Sequence, residues 1–214
     1  MNKFEIQNPK SEIILAEQLP LMEHYYTIQG EGYNTGTPAY FLRLGGCDVG
    51  CVWCDVKDSW NAEKHPLSRI EEMVELVQNA NASTAVITGG EPMMNDLTYL
   101  TDIFHQNKIR LWLETSGAYP LTGEWDWICV SPKKFKAPMK SALEKANELK
   151  VVIYNRFDFD WAEEHAATVN SACKLFLQPE HSRQDEMIPL IINYVRQNPK
   201  WRISLQTHKY MNIP

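Results

Sequence analysis

The sequence predicts an α/β protein: an incomplete, TIM-like barrel of about six parallel strands joined by crossover helices. Three observations predict it. Strand-like runs alternate with amphipathic helical patterns. The strands are apolar almost throughout, as expected when both faces of a parallel sheet are covered. The length, 214 residues, holds one sizeable core but falls short of the roughly 250 residues typical of a full eightfold barrel.

Taken in order, runs rich in β-branched and aromatic residues occur at Tyr40–Leu44, Thr84–Thr88, Ile109–Glu114, Trp127–Val130, Leu149–Ile153, Lys174–Gln178 and Arg202–Gln206. After the first run a helix opens at Ser68, with Glu71 three residues on as a capping box. Ile70, Met73, Val74 and Val77 then share one face. A second helical pattern aligns Leu97, Leu100 and Phe104, and a third aligns Ile188, Ile191, Ile192 and Val195. No repeat, low-complexity tract or Gly/Ser linker divides the chain, so residues 1–214 read as one domain. In such folds the reactive end is where strands finish. Gly45–Gly46, Thr88–Glu91, Glu114–Gly117, Ser131–Lys133, Gln178–His181 and Gln206–His208 all fall there, which points to one shared site.

A net charge of −6 and a pI near 5.5 argue against nucleic acid as the partner. Lys133, Lys134, Lys136 and Lys140 cluster, and read as a solvated loop face. No apolar run approaches the roughly 18–20 residues that span a bilayer. The N-terminal stretch carries acidic residues and lacks the apolar core of a secretory signal, so a cytoplasmic protein is expected. Of five cysteines, Cys129 and Cys173 stand alone in apolar runs and read as small buried hydrophobes.

The other three fall in Gly45-Gly46-Cys47-Asp48-Val49-Gly50-Cys51-Val52-Trp53-Cys54-Asp55, a C-x₃-C-x₂-C spacing. Such spacing lets three thiolates converge on one inorganic centre from a single loop, and its glycines permit the tight turns. Three cysteines on a cubane cluster leave one iron without a protein ligand, the open position that catalysis requires. Spacing alone leaves a zinc site as a rival, with His24 or His65 as the fourth ligand.

The trio, with Trp53 before its last cysteine, and Thr88-Gly89-Gly90-Glu91-Pro92 together resemble the cluster loop and Gly-Gly-Glu motif of the radical S-adenosylmethionine (SAM) superfamily. From about Tyr25 to Pro214 the chain resembles the 7-carboxy-7-deazaguanine synthases of that superfamily. The matching segments include Thr27-Ile28-Gln29-Gly30-Glu31-Gly32, Phe41-Leu42-Arg43-Leu44, Glu114-Thr115, Trp127-Ile128-Cys129-Val130-Ser131-Pro132-Lys133, Asn147-Glu148-Leu149-Lys150, Gln178-Pro179 and Gln206-Thr207-His208-Lys209-Tyr210.

The resemblance implies a [4Fe–4S] cluster on Cys47, Cys51 and Cys54. It also implies ring contraction of 6-carboxy-5,6,7,8-tetrahydropterin to 7-carboxy-7-deazaguanine with loss of ammonia, in queuosine and 7-deazapurine biosynthesis. For the pterin it selects Ile28, Gln29, Gly30, Arg43, Thr88 and Pro214, the last through a terminal carboxylate. Arg43 has the planar fork that suits the substrate carboxylate. For S-adenosylmethionine it selects Trp53, Cys54, Asp55, Gly90, Ser131, Pro132, Lys133, Gln178, Pro179, Glu180 and His181. Glu31, Glu114 and His208 are expected to line the site. An electron donor such as flavodoxin or ferredoxin and a homodimer are implied as well. One position departs from the family pattern: the Thr or Ser that contacts magnesium is here Val56, which offers no oxygen. Magnesium would then be held by substrate and water, would gain Asp58 as a neighbour, or would be absent.

Overall fold

The computed structural model describes residues 17–214; the N-terminal stretch read above as lacking a secretory signal lies outside the described residues. The elements run β1 (Gln18–Ile28), β2 (Pro38–Leu44), β3 (Leu67–Arg69), α1 (Ile70–Asn79), β4 (Thr84–Gly89), α2 (Thr98–Gln106), β5 (Arg110–Thr115) and β6 (Trp127–Val130). They continue α3 (Lys140–Lys145), β7 (Glu148–Ile153), α4 (Asp158–Ala166), β8 (Lys174–Pro179), α5 (Gln184–Gln197), β9 (Trp201–Ile203) and α6 (Thr207–Met211). The strands form one nine-stranded open sheet in the order β3-β1-β2-β4-β5-β6-β7-β8-β9. From β2 onward every neighbouring pair is parallel, as expected for an incomplete barrel. Only β1 runs against its neighbours β2 and β3. Among the described residues no helix is long and apolar enough to cross a membrane.

Successive strand residues face opposite sides of a sheet, and here the two sides differ in character. Leu42 and Leu44, Ala85 and Ile87, Leu111 and Leu113, Ile128 and Val130, and Leu149, Val151 and Ile153 all turn into the main core. The buried faces of α1, α2, α4 and α5 cover them there. A separate small apolar cluster of Ala39, Val86 and Trp112, flanked by Phe41 and Trp127, fills the other side. Further along the same strands that other side becomes polar. Arg43 stands beside Thr88, and Glu114, Cys129 and Glu148 stand side by side across β5, β6 and β7. The expectation that the strands are apolar on both faces therefore fails on this inner face, where Arg43, Thr88, Glu114 and Lys150 line the site.

Three local readings need correction. The first helix begins one residue later than expected: Ser68 ends in β3, and Arg69 is the N-cap, its N–H donating to Glu72 at 3.1 Å. In α5 the buried positions are Met187 and Ile191, whereas Ile192 is exposed. Strands β1 and β3 went unpredicted: in β1 the register shifts between Leu21 and Glu23, a bulge that breaks the alternation, and β3 is only three residues long.

Candidate active site

One cavity of about 390 Å³ opens at the C-terminal ends of the parallel strands, within the size range of small-molecule sites. Its floor is built from inward-facing strand residues. Lys150, on β7, is 4% exposed. Its ammonium donates to Glu31 Oε2 at 2.7 Å and to Glu114 Oε2 at 2.9 Å. Glu114 Oε1 accepts from Gln29 Nε2 at 3.3 Å, and Gln29 Oε1 accepts from the Glu31 N–H at 3.1 Å. The four residues thus close a ring, Gln29–Glu114–Lys150–Glu31, joining the turn after β1 to β5 and β7. A further bond, from Gln206 Nε2 to Glu31 Oε1 at 2.7 Å, ties in the segment after β9.

The electrostatics follow from this pairing. Burial is the largest influence on Glu31 and pushes its carboxyl up. Lys150's charge and hydrogen bond, with Gln206 and Gln178, outweigh it and hold the group at about 2. Burial pushes the Lys150 ammonium down, but Cys129 and the surrounding carboxylates hold it well above the usual lysine range. Glu148, two residues before Lys150 on β7 and outside the cavity lining, goes the other way. Burial drives it up to about 7, despite the charge of Lys150. Its Oε2 accepts from the Tyr33 N–H and Trp127 Nε1, while Oε1 has no hydrogen-bond partner.

The wall opposite carries the cysteines. Cys47, Cys51 and Cys54 all line the cavity, and none is in a disulfide. Burial raises the thiols of Cys47 and Cys51. Among the described residues no three His, Cys, Asp or Glu side chains converge closely enough to hold a single metal ion. The histidines weighed as zinc ligands are engaged elsewhere, His24 with Tyr40 Oη at 2.7 Å and His65 with the Asp58 carbonyl at 2.9 Å. Thiols spread along one loop suit a multi-iron cluster, where each cysteine meets a different iron.

The Gly-Gly-Glu turn after β4 staples this loop to the sheet. Gly90 N–H donates to Leu44 O at 2.9 Å and Glu91 N–H to Gly46 O at 2.8 Å. A Cβ on Gly90 would overlap the Gly46 carbonyl and Cys47 Cβ, so the close approach requires glycine. Glu91, 1% exposed, accepts from Met93 N–H at 3.1 Å, Thr115 Oγ1 at 2.6 Å, Ser116 N–H at 2.8 Å and Ser116 Oγ. Its carboxylate is a structural post between the cysteine wall and β5.

The other expected residues are distributed as follows. Ile28, Gln29, Gly30, Arg43, Thr88 and Pro214 all line the cavity. Arg43 is partly engaged, Nε to Glu23 Oε1 at 2.5 Å and Nη2 to Tyr25 Oη at 3.2 Å. Of the residues expected at S-adenosylmethionine, Trp53, Cys54, Asp55, Gly90, Ser131, Lys133, Gln178, Pro179, Glu180 and His181 line it, and Pro132 does not. His208 lines it and packs against Gly30, its imidazole pushed toward the neutral form by burial. The lysine cluster divides: Lys134, Lys136 and Lys140 pair with Asp158, Asp48 and Glu144, whereas Lys133 turns inward onto Ser131. Val56 lines the cavity and Asp58 does not. Sequence reasoning missed Lys150, Tyr25 and Phe41, and placed Gln206 at the site. Lys150 had a usable signal. Glu148 and Lys150 alternate within the strand ELKVVI, which puts two charges on one face of a buried strand, a placement that is costly unless the charges are paired.

The model of the radical SAM superfamily matches residues 42–152. A 7-carboxy-7-deazaguanine synthase of Flavobacterium psychrophilum is 60% identical over 201 residues, covering 93% of this chain and 94% of the relative. One of Synechocystis sp. is 46% identical over 205 residues, covering 96% and 98%. The crystal structure of QueE from Escherichia coli superposes with a TM-score of 0.80 at 33% identity, covering 88% of this chain and 93% of that one.

Proposed function

This chain belongs to the radical SAM superfamily and, within it, to the 7-carboxy-7-deazaguanine synthases, and from that premise we propose how its cavity contracts the pterin ring. Membership implies a [4Fe–4S] cluster and S-adenosylmethionine, and the residues present fit both. Three free thiols share one wall, beside a turn that admits only glycine at position 90. When bound, the cluster and S-adenosylmethionine supply a radical that takes hydrogen from C6 of 6-carboxy-5,6,7,8-tetrahydropterin.

The chain's own work is to position and to exclude water. Cys47, Cys51 and Cys54 hold the cluster. Trp53, Asp55, Gly90 and the stretches Ser131–Lys133 and Gln178–His181 embrace the cofactor. Ile28, Gln29 and Gly30 present paired donors and acceptors to the pterin's guanidine-like edge, while Thr88 and Pro214 flank it. Arg43, already aligned by Glu23 and Tyr25, offers the remainder of its fork to the substrate carboxylate. His208, packed on Gly30, backs that edge.

The observation that carries the reading is the meeting of a three-cysteine wall and a buried, fully paired polar floor in one cavity. Anaerobic incubation of the reconstituted enzyme with S-adenosylmethionine, reductant and the carboxytetrahydropterin should yield 7-carboxy-7-deazaguanine by mass spectrometry. Abundant deoxyadenosine without any deazapurine would overturn the substrate assignment. For magnesium, Val56 supplies no oxygen and Asp58 lies outside the lining, so substrate and water are its ligands. Turnover should accordingly fall in chelator and return with added magnesium, and equal turnover in chelator and in magnesium would contradict this. An electron donor such as flavodoxin or ferredoxin and a homodimeric assembly complete the reading on family membership.

A further inference from the structure

We propose that Lys150 is a positioning residue of the ring contraction, its ammonium locking the turn that receives the pterin edge; this rests on the substrate reading above. Three observations carry it. First, Lys150 is 4% exposed and lines the cavity, yet its ammonium gives hydrogen bonds to two carboxylates that come from separate parts of the chain. Second, each carboxylate spends its other oxygen on a glutamine, Gln29 for Glu114 and Gln206 for Glu31. Third, Gln29 closes the ring by accepting the Glu31 N–H. The backbone from Ile28 to Glu31 is therefore fixed by a chain of charge-assisted bonds whose only cation is Lys150.

The charge count within the ring shows what the ammonium does. Two carboxylates against one lysine leave a net single negative charge under the donor-rich guanidine edge of a pterin. Without the lysine, two like charges would share a buried floor, repel one another and release both glutamines. A cation at this point thus fixes geometry while leaving one acceptor charge for the substrate. Lys150 need not touch the substrate for this, which is why its role is positioning.

The test uses the reconstituted holoenzyme and three variants. Lys150→Met should lower kcat/KM for the pterin roughly 100-fold, chiefly through KM. It should raise the ratio of deoxyadenosine to deazapurine, while cluster absorbance and S-adenosylmethionine affinity stay at wild-type levels. Lys150→Arg, which keeps the charge, should recover much of the loss. Lys150→Met combined with Glu114→Gln removes one anion with the cation, and should couple better than Lys150→Met alone. A merely space-filling lysine would make that double variant no better. Wild-type KM and coupling in Lys150→Met, or no rescue by either companion, would overturn the proposal. If instead the wild-type holoenzyme made no deazapurine from the pterin, the substrate reading itself would fall, and this inference with it.

Discussion

The cavity floor and the cysteine wall face each other across the same space but are held in different ways. On the floor, Glu114 and Lys150 stand on neighbouring parts of the parallel sheet, and Glu31 reaches them from the turn after β1. Their polar atoms are matched to one another by hydrogen bonds of 2.7 to 3.3 Å. On the wall, residues 45–54 have no strand or helix. They hang from a few backbone bonds, such as Gly46 N–H to Ser59 O at 2.6 Å and Cys47 N–H to Trp60 O at 3.1 Å. At the outer edge Asp48 is latched by Tyr119 Oη and Lys136 Nζ. The floor is organised by the fold alone; the wall is organised for a ligand that completes it. The difference teaches that removing the wall's chemistry should spare the fold, whereas disturbing the floor should cost stability as well as function.

The largest expected effect tests the wall. Cys51→Ala should abolish the iron–sulfur absorbance and reduce turnover to background, because a cubane with only two protein thiolates loses one of its anchors. The unfolding midpoint of the cluster-free protein should barely move, since the thiol makes no bond that the fold needs. A cluster-free variant that unfolded several degrees lower would show that the wall belongs structurally to the floor.

Glu91 joins the two regions and comes next. Its buried carboxylate collects four donors from Met93, Thr115 and Ser116, and its own N–H holds the cluster loop at Gly46. Glu91→Ala should therefore cost about 3–5 kcal/mol in urea unfolding, the range for stranding buried partners of a charged group. Glu91→Gln should cost less, since an amide keeps an acceptor. A loss below about 1 kcal/mol for Glu91→Ala would mean that water replaces the carboxylate and that the two regions are not coupled through it.

The same division explains what the sequence disclosed. The wall was legible because its chemistry is local: Cys47, Cys51, Cys54 and the glycines beside them are contiguous, and spacing alone reports their purpose. The seven parallel strands were legible through their apolar runs. The floor was less legible because the carboxylates that Lys150 pairs with lie 36 and 119 residues away, and only the fold brings them together. Glu114 and Glu31 were found through the resemblance, whereas Lys150 was hidden inside an otherwise ordinary strand. Strand β1 was missed for a related reason: its bulge between Leu21 and Glu23 destroys the alternation that identifies a strand.

The smallest effect sets Glu31, a floor carboxylate that is paired, against Glu148, which lies outside the cavity lining and has one oxygen unpaired. Glu31, held at about 2 mainly by Lys150 against the upward push of burial, stabilises the fold at neutral pH. Its contribution is lost as pH falls from about 4.5 toward 2. Glu148 has the opposite sign. Burial raises it to about 7, so the folded state prefers the protonated acid while the unfolded chain ionises near 4.5. Below about pH 4.5 both states are protonated and the group is neutral to stability. Between about 4.5 and 7 the unfolded state gives up its proton first, and stability falls by up to about 3 kcal/mol. Above about 7 the loss is constant. Glu148→Gln keeps a neutral side chain at every pH, so its stability relative to wild type should rise by about 3 kcal/mol from pH 4.5 to 7 and then level off. Parallel pH curves for the two proteins in urea unfolding would place Glu148 among the ionised, paired carboxylates. The unpartnered Oε1 argues against that outcome, because an anion there would have no donor on one of its two oxygens.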